Sequence, residues 1–94
     1  MGRVKSIIQD EKECYVCGTT QGLNLHHIYF GTANRRISDR EGFFCYLCVE
    51  HHTGNSGVHF DNELNLKLRK ITQQKYEEMH TREDFMRLTG RNYL

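Results

Sequence analysis

Cysteine and histidine are concentrated in one half of this chain, and that concentration limits what the chain can fold into. All four cysteines and five of the six histidines lie between residues 14 and 59 of a 94-residue sequence. They are Cys14, Cys17, Cys45 and Cys48, with His26, His27, His51, His52 and His59. A chain of this length buries only a marginal core, so a bound metal ion would add substantially to its stability. The pattern therefore predicts metal chemistry.

The first thirteen residues carry no sign of export or of membrane insertion. The apolar pair Ile7-Ile8 is followed by the charged run from Asp10 to Glu13, and no apolar run of transmembrane length follows. We expect Ile7 and Ile8 to pack against the domain as a short helix or strand. We also expect a cytoplasmic protein with no membrane partner. In a reducing cytoplasm, paired cysteines bind metal more often than they form disulfides.

Two sets of four ligands fit the spacing of a closed tetrahedral zinc site. The first set consists of four thiolates, Cys14, Cys17, Cys45 and Cys48. The second set consists of Cys14, Cys17, Cys48 and His51. Two observations favour the second set. Cys45 lies in an apolar run, where a free cysteine behaves as a small buried hydrophobe, and only the second set puts His52 directly beside the structural zinc.

The first part of the chain has the composition of a β-hairpin. Residues 23–30 show partial alternation of apolar and polar side chains, and residues 43–47 are apolar almost throughout. Both segments are rich in β-prone residues, which predicts two strands. The polar residues 31–42 between them are expected to form a loop.

The second part of the chain has helical periodicity. From Asp61 onward, apolar residues recur at helical spacing, which predicts a helix over residues 62–80. Its apolar stripe consists of Leu64, Leu68, Ile71, Tyr76 and Met79. Thr81 has the chemistry of an N-cap for a second short helix, and Gly90 is its stop signal. The sequence thus predicts a single α+β domain over residues 1–94, with a two-stranded antiparallel hairpin followed by C-terminal helices.

Four short motifs, taken in order, resemble the zinc-containing branch of the HNH endonuclease family. They are Cys14-Tyr15-Val16-Cys17-Gly18, Leu25-His26-His27-Ile28, Leu47-Cys48-Val49-Glu50-His51-His52, and His59. His51 stands where the family has a fourth cysteine. The resemblance covers residues 14–60, and it is specific because order, spacing and flanking apolar residues agree together. Residues 57–94 are also similar, more weakly, to small HNH proteins encoded by bacteriophages and prophages.

This resemblance implies a ββα-metal fold stabilised by a bound zinc ion over residues 14–60, with residues 61–94 as a helical extension. It implies a metal-dependent endonuclease that hydrolyses DNA phosphodiester bonds in the cytoplasm of a bacterial host, encoded by a phage or prophage. His27 would be the general base. A catalytic divalent ion such as Mg²⁺, Mn²⁺, Ni²⁺ or Zn²⁺ would be bound by His26, His52 and His59. Neighbouring residues on a strand point to opposite sides, so His26 and His27 are expected to have different roles.

The charge of the chain limits how it could bind DNA. The formal net charge is +1, so contacts with phosphates must come from local clusters and not from bulk charge. Residues 31–42 contain the densest basic group, and we expect Arg35, Arg36 and Arg40 to contact DNA. The expected assembly state is a monomer or weak dimer, with other phage DNA-processing proteins as further partners.

One departure from the family pattern keeps an alternative function open. Phe43 stands where the family has its middle asparagine, and the candidates for that role, Asn34 and Asn55, are not at the matching position. The gap between His52 and His59 is also longer than the family's. The alternative is a catalytically silent, zinc-stabilised module that binds DNA or serves a phage DNA-processing complex. The intact histidine set favours the enzyme, and the missing asparagine favours the module.

Overall fold

The computed structural model describes residues 4–30, 34–54, 57–58 and 61–94. Two strands and four helices lie along these residues. In chain order they are β1 (Leu23–His27), α1 (Asn34–Glu41), β2 (Phe44–Cys48), α2 (Val49–His52), α3 (Asn62–Tyr76) and α4 (Arg82–Thr89). The α+β class and the hairpin followed by helices are confirmed.

The two strands pair antiparallel in a continuous register, from Leu23 opposite Cys48 to His27 opposite Phe44. Because every residue of β1 has one partner, successive side chains alternate between the two faces of the hairpin. β2 is buried on both faces, as its apolar composition predicts, and Cys45 is completely inaccessible. The predicted strands are confirmed with shifted ends, since β1 stops at His27 and β2 begins one residue later than expected.

Residues 34–41 form the helix α1, so the expectation of a loop over residues 31–42 was wrong for this segment. The fully buried residue of α1 is the polar Ser38, and Ile37 is partly buried against the core. The Ser38 hydroxyl donates to the main-chain oxygen of Tyr29 (2.6 Å) and accepts from its N–H (3.2 Å). Tertiary hydrogen bonds therefore stabilise a helix whose charged sequence lacks the apolar stripe by which an amphipathic helix is predicted.

α3 begins at the predicted residue, Asn62, and α4 begins directly after the predicted N-cap, Thr81. The Asp61 side chain accepts hydrogen bonds from the main-chain N–H groups of Glu63 and Leu64, at 3.0 and 3.1 Å. Thr81 and Asp84 form a reciprocal capping box at the start of α4, and Gly90 ends that helix with φ of 81°. Such caps satisfy the N–H groups that the first turn of a helix leaves unbonded.

The first of these helices is shorter than predicted. α3 ends at Tyr76, so Met79, expected in the apolar stripe, lies beyond the helix and is 84% exposed. His80, expected at the helix end, stacks on the Tyr76 ring with centroids 4.2 Å apart. Among the described residues, no helix has both the length and the apolarity needed to cross a bilayer.

A cluster of aromatic rings joins the hairpin to the helices. It consists of Tyr29, Phe43, Tyr76, Phe85 and Tyr93. The Tyr29 ring meets those of Phe43 and Phe85 edge to face at 5.4 Å, an arrangement that aromatic pairs prefer. The Tyr29 hydroxyl donates to the main-chain oxygen of Arg69 at 2.6 Å, so its polar end is also satisfied. This core fixes the segment that follows β1 against α3 and α4.

The N-terminal segment packs on the hairpin without forming a helix or strand, contrary to expectation. Ile7 and Ile8 are partly buried against the core. The Ile7 N–H donates to the main-chain oxygen of Gly42 at 3.0 Å, and the Gln9 side chain accepts from the Tyr46 N–H at 2.8 Å. These bonds cover the outer edge of β2.

Candidate metal centre

One half of the candidate site is a tight turn that carries Cys14 and Cys17. The Gly18 N–H donates to the Cys14 oxygen at 2.8 Å, and Gly18 adopts φ of 80°, a conformation that favours glycine. The Cys14 N–H donates to the Thr19 oxygen at 2.8 Å, which closes the turn. The Tyr15 N–H donates to the main-chain oxygen of Tyr46 at 2.9 Å, so the turn is bonded directly to β2.

The other half comes from the junction of β2 and α2. Cys48 is the last residue of β2 and the N-cap of α2, and His51 lies within that short helix. Residues three apart on a helical turn point the same way, so both side chains face the cysteine turn. The first turn of α2 therefore explains why Cys48 and His51 are three residues apart in the sequence.

These two halves bring four ligand atoms together. The Sγ atoms of Cys17 and Cys48 are 3.8 Å apart. His51 Nδ1 lies 3.3 Å from Cys48 Sγ and 3.7 Å from Cys14 Sγ. The four ligand atoms lie within 4.8 Å of one another. In a tetrahedral site with zinc bonds of about 2.3 Å to sulfur and about 2.0 Å to nitrogen, two sulfur ligands lie roughly 3.8 Å apart, and a sulfur and a nitrogen ligand lie roughly 3.5 Å apart. The donor set and its spacing are compatible with a structural zinc ion.

The environment of Cys14 favours the thiolate, which is the form that binds metal. Burial raises the pKa of the Cys14 thiol, but main-chain N–H groups, those of Cys17 and Cys48 first among them, stabilise the thiolate. The net effect lowers its pKa from the usual 9.0 to about 6. The main chain around Cys14 therefore stabilises the deprotonated side chain that an ion would bind.

Cys45 lies apart from this cluster. Within the described residues, the group close enough to hold an ion contains Cys14, Cys17, Cys48 and His51 and does not include Cys45. Cys45 and Cys48 are three apart on β2, so they point to opposite faces of the strand. Burial raises the pKa of the Cys45 thiol to about 12, as expected for an inert core cysteine. The geometry favours the set with His51 over the four-thiolate set.

The histidine pair of β1 is divided between the two faces of the hairpin. His26 is buried, with 2% exposed, whereas the His27 side chain is 22% exposed. The His26 ring meets the His52 ring edge to face, with centroids 5.3 Å apart. His52 directly follows His51, so α2 connects this histidine contact to the cysteine cluster. His59, the third expected ligand of the catalytic ion, lies outside the described residues.

His27 contacts a residue that the sequence did not single out. Its Nε2 atom lies 2.9 Å from Oδ1 of Asp39, a residue of α1. Asp39 could not be foreseen as a partner because its segment was expected to be a loop. Asn34 is the first residue of α1, and Asn55 lies outside the described residues. Phe43, at the family's asparagine position, is completely buried in the aromatic core.

The three candidate DNA-binding arginines lie on one helix. Arg35, Arg36 and Arg40 are all exposed residues of α1. Arg40 Nε lies 3.2 Å from Glu41 Oε2, a surface ion pair that offsets part of its charge. Arg35 and Arg36 form no such ion pair with any residue in the described part of the chain. α1 thus presents its basic side next to the residue that contacts His27.

No family model, no curated protein and no solved structure matches this chain. Its function must therefore be argued from the geometry of these residues.

Proposed function

We propose that this protein is a metal-dependent endonuclease of the HNH type, with a ββα-metal core, that hydrolyses phosphodiester bonds in DNA. A zinc ion held by Cys14, Cys17, Cys48 and His51 has a structural role. A second divalent ion is held by His26 and His52, with His59 as the third ligand expected from the sequence. His27 is the general base.

The zinc part of the proposal is supported by the donor set and its distances. Three thiols and one imidazole approach one another at the spacing of a tetrahedral zinc site. Structural zinc sites contribute on the order of 10 kcal/mol to folding in small zinc peptides. That energy is comparable to the entire stability of an ordinary domain. In a chain of 94 residues the ion would fix the position of α2 against the hairpin.

The observation that carries the nuclease proposal is the contact between His26 and His52. Two imidazoles that share an ion at bonds of about 2.0 Å have ring centroids about 5 Å apart. The observed separation is 5.3 Å, between side chains that are 26 residues apart in sequence. A zinc knuckle alone does not need this pair. An ion bound there would supply positive charge to the phosphate and to the leaving oxyanion.

The exposure of the two neighbouring histidines supports their different roles. His26 is buried and suits a ligand, whereas His27 reaches the surface, where a substrate could approach it. A neutral imidazole near pH 7 takes a proton from water. The hydroxide oxygen then bonds to phosphorus, the bond from phosphorus to the deoxyribose oxygen breaks, and that oxygen takes a proton from solvent.

The basic side of α1 supplies the proposed DNA contacts. Arg35 and Arg36 are exposed, and the same helix carries Asp39, which contacts His27. DNA bound along α1 would therefore pass close to the general base. With a net charge of +1, binding relies on this local cluster.

A nicking assay tests the proposal. Zinc-loaded protein is incubated with supercoiled plasmid and Mg²⁺, Mn²⁺, Co²⁺ or Ni²⁺ in turn, and the open-circular product is measured. We expect metal-dependent nicking that His27→Ala slows by about 10²- to 10⁴-fold. His80→Ala should retain it, since His80 is an exposed residue that stacks on Tyr76 and is neither a proposed ligand nor the proposed base. If wild-type protein binds DNA but cuts it with none of these ions, the DNA-binding module replaces the enzyme.

A further inference from the structure

We propose that Asp39 is the positioning residue of the general base and that Nδ1 of His27 is the atom that accepts the proton. This inference rests on the proposed nuclease function and deepens it. The observation behind it is the distance of 2.9 Å between His27 Nε2 and Asp39 Oδ1. The sequence pointed to Asn34 and Asn55 for a supporting role, whereas the contact that the described residues make with the His27 ring comes from Asp39.

The tautomer of His27 follows from the chemistry of its partner. An ionised carboxylate can only accept hydrogen bonds, so the contact requires a proton on Nε2. A neutral imidazole has a single N–H, and the other nitrogen then carries the lone pair. In this arrangement Nδ1 is the basic atom. When Nδ1 takes a proton from water, the carboxylate of Asp39 stabilises the resulting imidazolium.

The position of Asp39 is fixed by the residue before it. Ser38 is completely buried, and its hydroxyl bonds both to the oxygen and to the N–H of Tyr29. The Ser38 main-chain oxygen also accepts from the Phe43 N–H at 2.9 Å. These bonds hold α1 against the chain two residues beyond His27. The main chain that carries Asp39 is therefore held beside His27 by buried hydrogen bonds.

Among the described residues, the carboxylate of Asp39 is the hydrogen-bond partner of the His27 ring. Phe44, the cross-strand partner of His27, has no polar side-chain atom. The Asp39 side chain is 45% exposed and the His27 side chain 22%, so solvent and a substrate can reach the pair. Nδ1 can therefore face substrate while Nε2 faces α1.

The first experiment reads the tautomer directly. Zinc-loaded protein labelled with ¹⁵N in its histidines is studied by long-range ¹H–¹⁵N NMR at alkaline pH, and the His27→Ala spectrum identifies the His27 signals. We expect the Nε2–H tautomer in the wild type. Asp39→Asn should lose this preference, because an amide of the same size can also donate to Nε2. Glu41→Gln, which removes one negative charge from the same helix, should keep the wild-type tautomer.

The second experiment measures nicking kinetics for the same variants. Asp39→Asn should lower kcat by at least about 10- to 100-fold, the range found when a hydrogen-bond partner that orients a metal-bound histidine is removed. Its KM should stay the same or fall, since removing a negative charge beside a phosphate backbone favours binding. Glu41→Gln should keep the wild-type kcat. A purely structural role for Asp39 would not separate kcat from KM in this way.

The outcomes separate this inference from the proposed function. If the wild type cuts DNA but His27 is the Nδ1–H tautomer, or if Asp39→Asn changes neither tautomer nor kcat, the role of Asp39 is wrong and the nuclease stands. If the wild type cuts nothing with any ion, the nuclease proposal fails, and the catalytic role of Asp39 fails with it.

Discussion

His51 and His52 are consecutive residues of α2, yet their rings belong to two different clusters. His51 Nδ1 lies 3.3 Å from Cys48 Sγ, while the His52 ring packs against His26 with centroids 5.3 Å apart. The short helix therefore connects the candidate zinc site to the histidine pair. Any change that displaces α2 should disturb both.

Zinc removal is expected to unfold the protein. Cys48→Ser should lose zinc and cooperative folding, because one of four ligands is removed from a site worth on the order of 10 kcal/mol. Cys45→Ser is the matched control, since Cys45 is a buried thiol outside the cluster, and it should keep one zinc per chain. Metal content by atomic emission and unfolding by circular dichroism make the comparison. Zinc loss in Cys45→Ser with retention in Cys48→Ser would establish the four-thiolate site instead.

The two histidines of β1 should differ in metal affinity. His26→Ala should weaken binding of Mn²⁺ or Ni²⁺ to zinc-loaded protein, because it removes a proposed ligand. His27→Ala should bind the ion as the wild type does and lose about 10²- to 10⁴-fold in cleavage rate, the usual contribution of a positioned base. Calorimetric titration measures the affinities. If the effects of the two substitutions are reversed, the roles of the two histidines must be exchanged.

The basic side of α1 should determine how DNA binding depends on salt. Each phosphate contact adds roughly 0.9 to the slope of log affinity against log salt. Replacing Arg35 and Arg36 together with glutamine should therefore flatten that slope by about one to two units in fluorescence-anisotropy titrations. The charge-matched control replaces Arg82 and Arg87, which pair with Glu77 and Asp84 on the C-terminal helices.

The control double variant should have the same slope of log affinity against log salt as the wild type. An unchanged slope in the α1 variant, together with a flatter one in the control, would move the DNA-binding surface to α4.

The C-terminal tail should depend on one buried glutamine. Gln73 is completely buried, donates to Asn92 Oδ1 at 2.8 Å and accepts from the Tyr93 N–H at 2.8 Å. Gln73→Ala leaves these groups without their partner and should lower the free energy of unfolding by about 2–3 kcal/mol. Gln74→Ala, at the exposed neighbouring position, should change it by less than about 0.5 kcal/mol. Urea denaturation of zinc-loaded protein measures both, and a Gln73→Ala effect as small as that of Gln74→Ala would show that the bonds of Gln73 to the tail contribute no net stability.

Local chemistry was enough to predict several elements from the sequence. The start of α3 at Asp61, the capping box of Thr81 and the stop at Gly90 depend on hydrogen bonds within a few residues. The β-prone composition of two segments predicted the two strands, and the polar segment between them predicted where one strand ends and the next begins. Ligand spacing left two candidate zinc sets, and the apolar surroundings of Cys45 favoured the set that the structure brings together, Cys14, Cys17, Cys48 and His51.

Other features were decided only by tertiary structure. α1 has a charged sequence, and its inward side is fixed by the hydrogen bonds of Ser38 to Tyr29, nine residues away. The contact of Asp39 with His27 depends on that helix, so no local pattern could have predicted it. The sequence by itself determined which ligands are available and where helices are capped. The tertiary structure decided which distant polar side chains meet, because hydrogen bonds between remote segments have no periodicity in the chain.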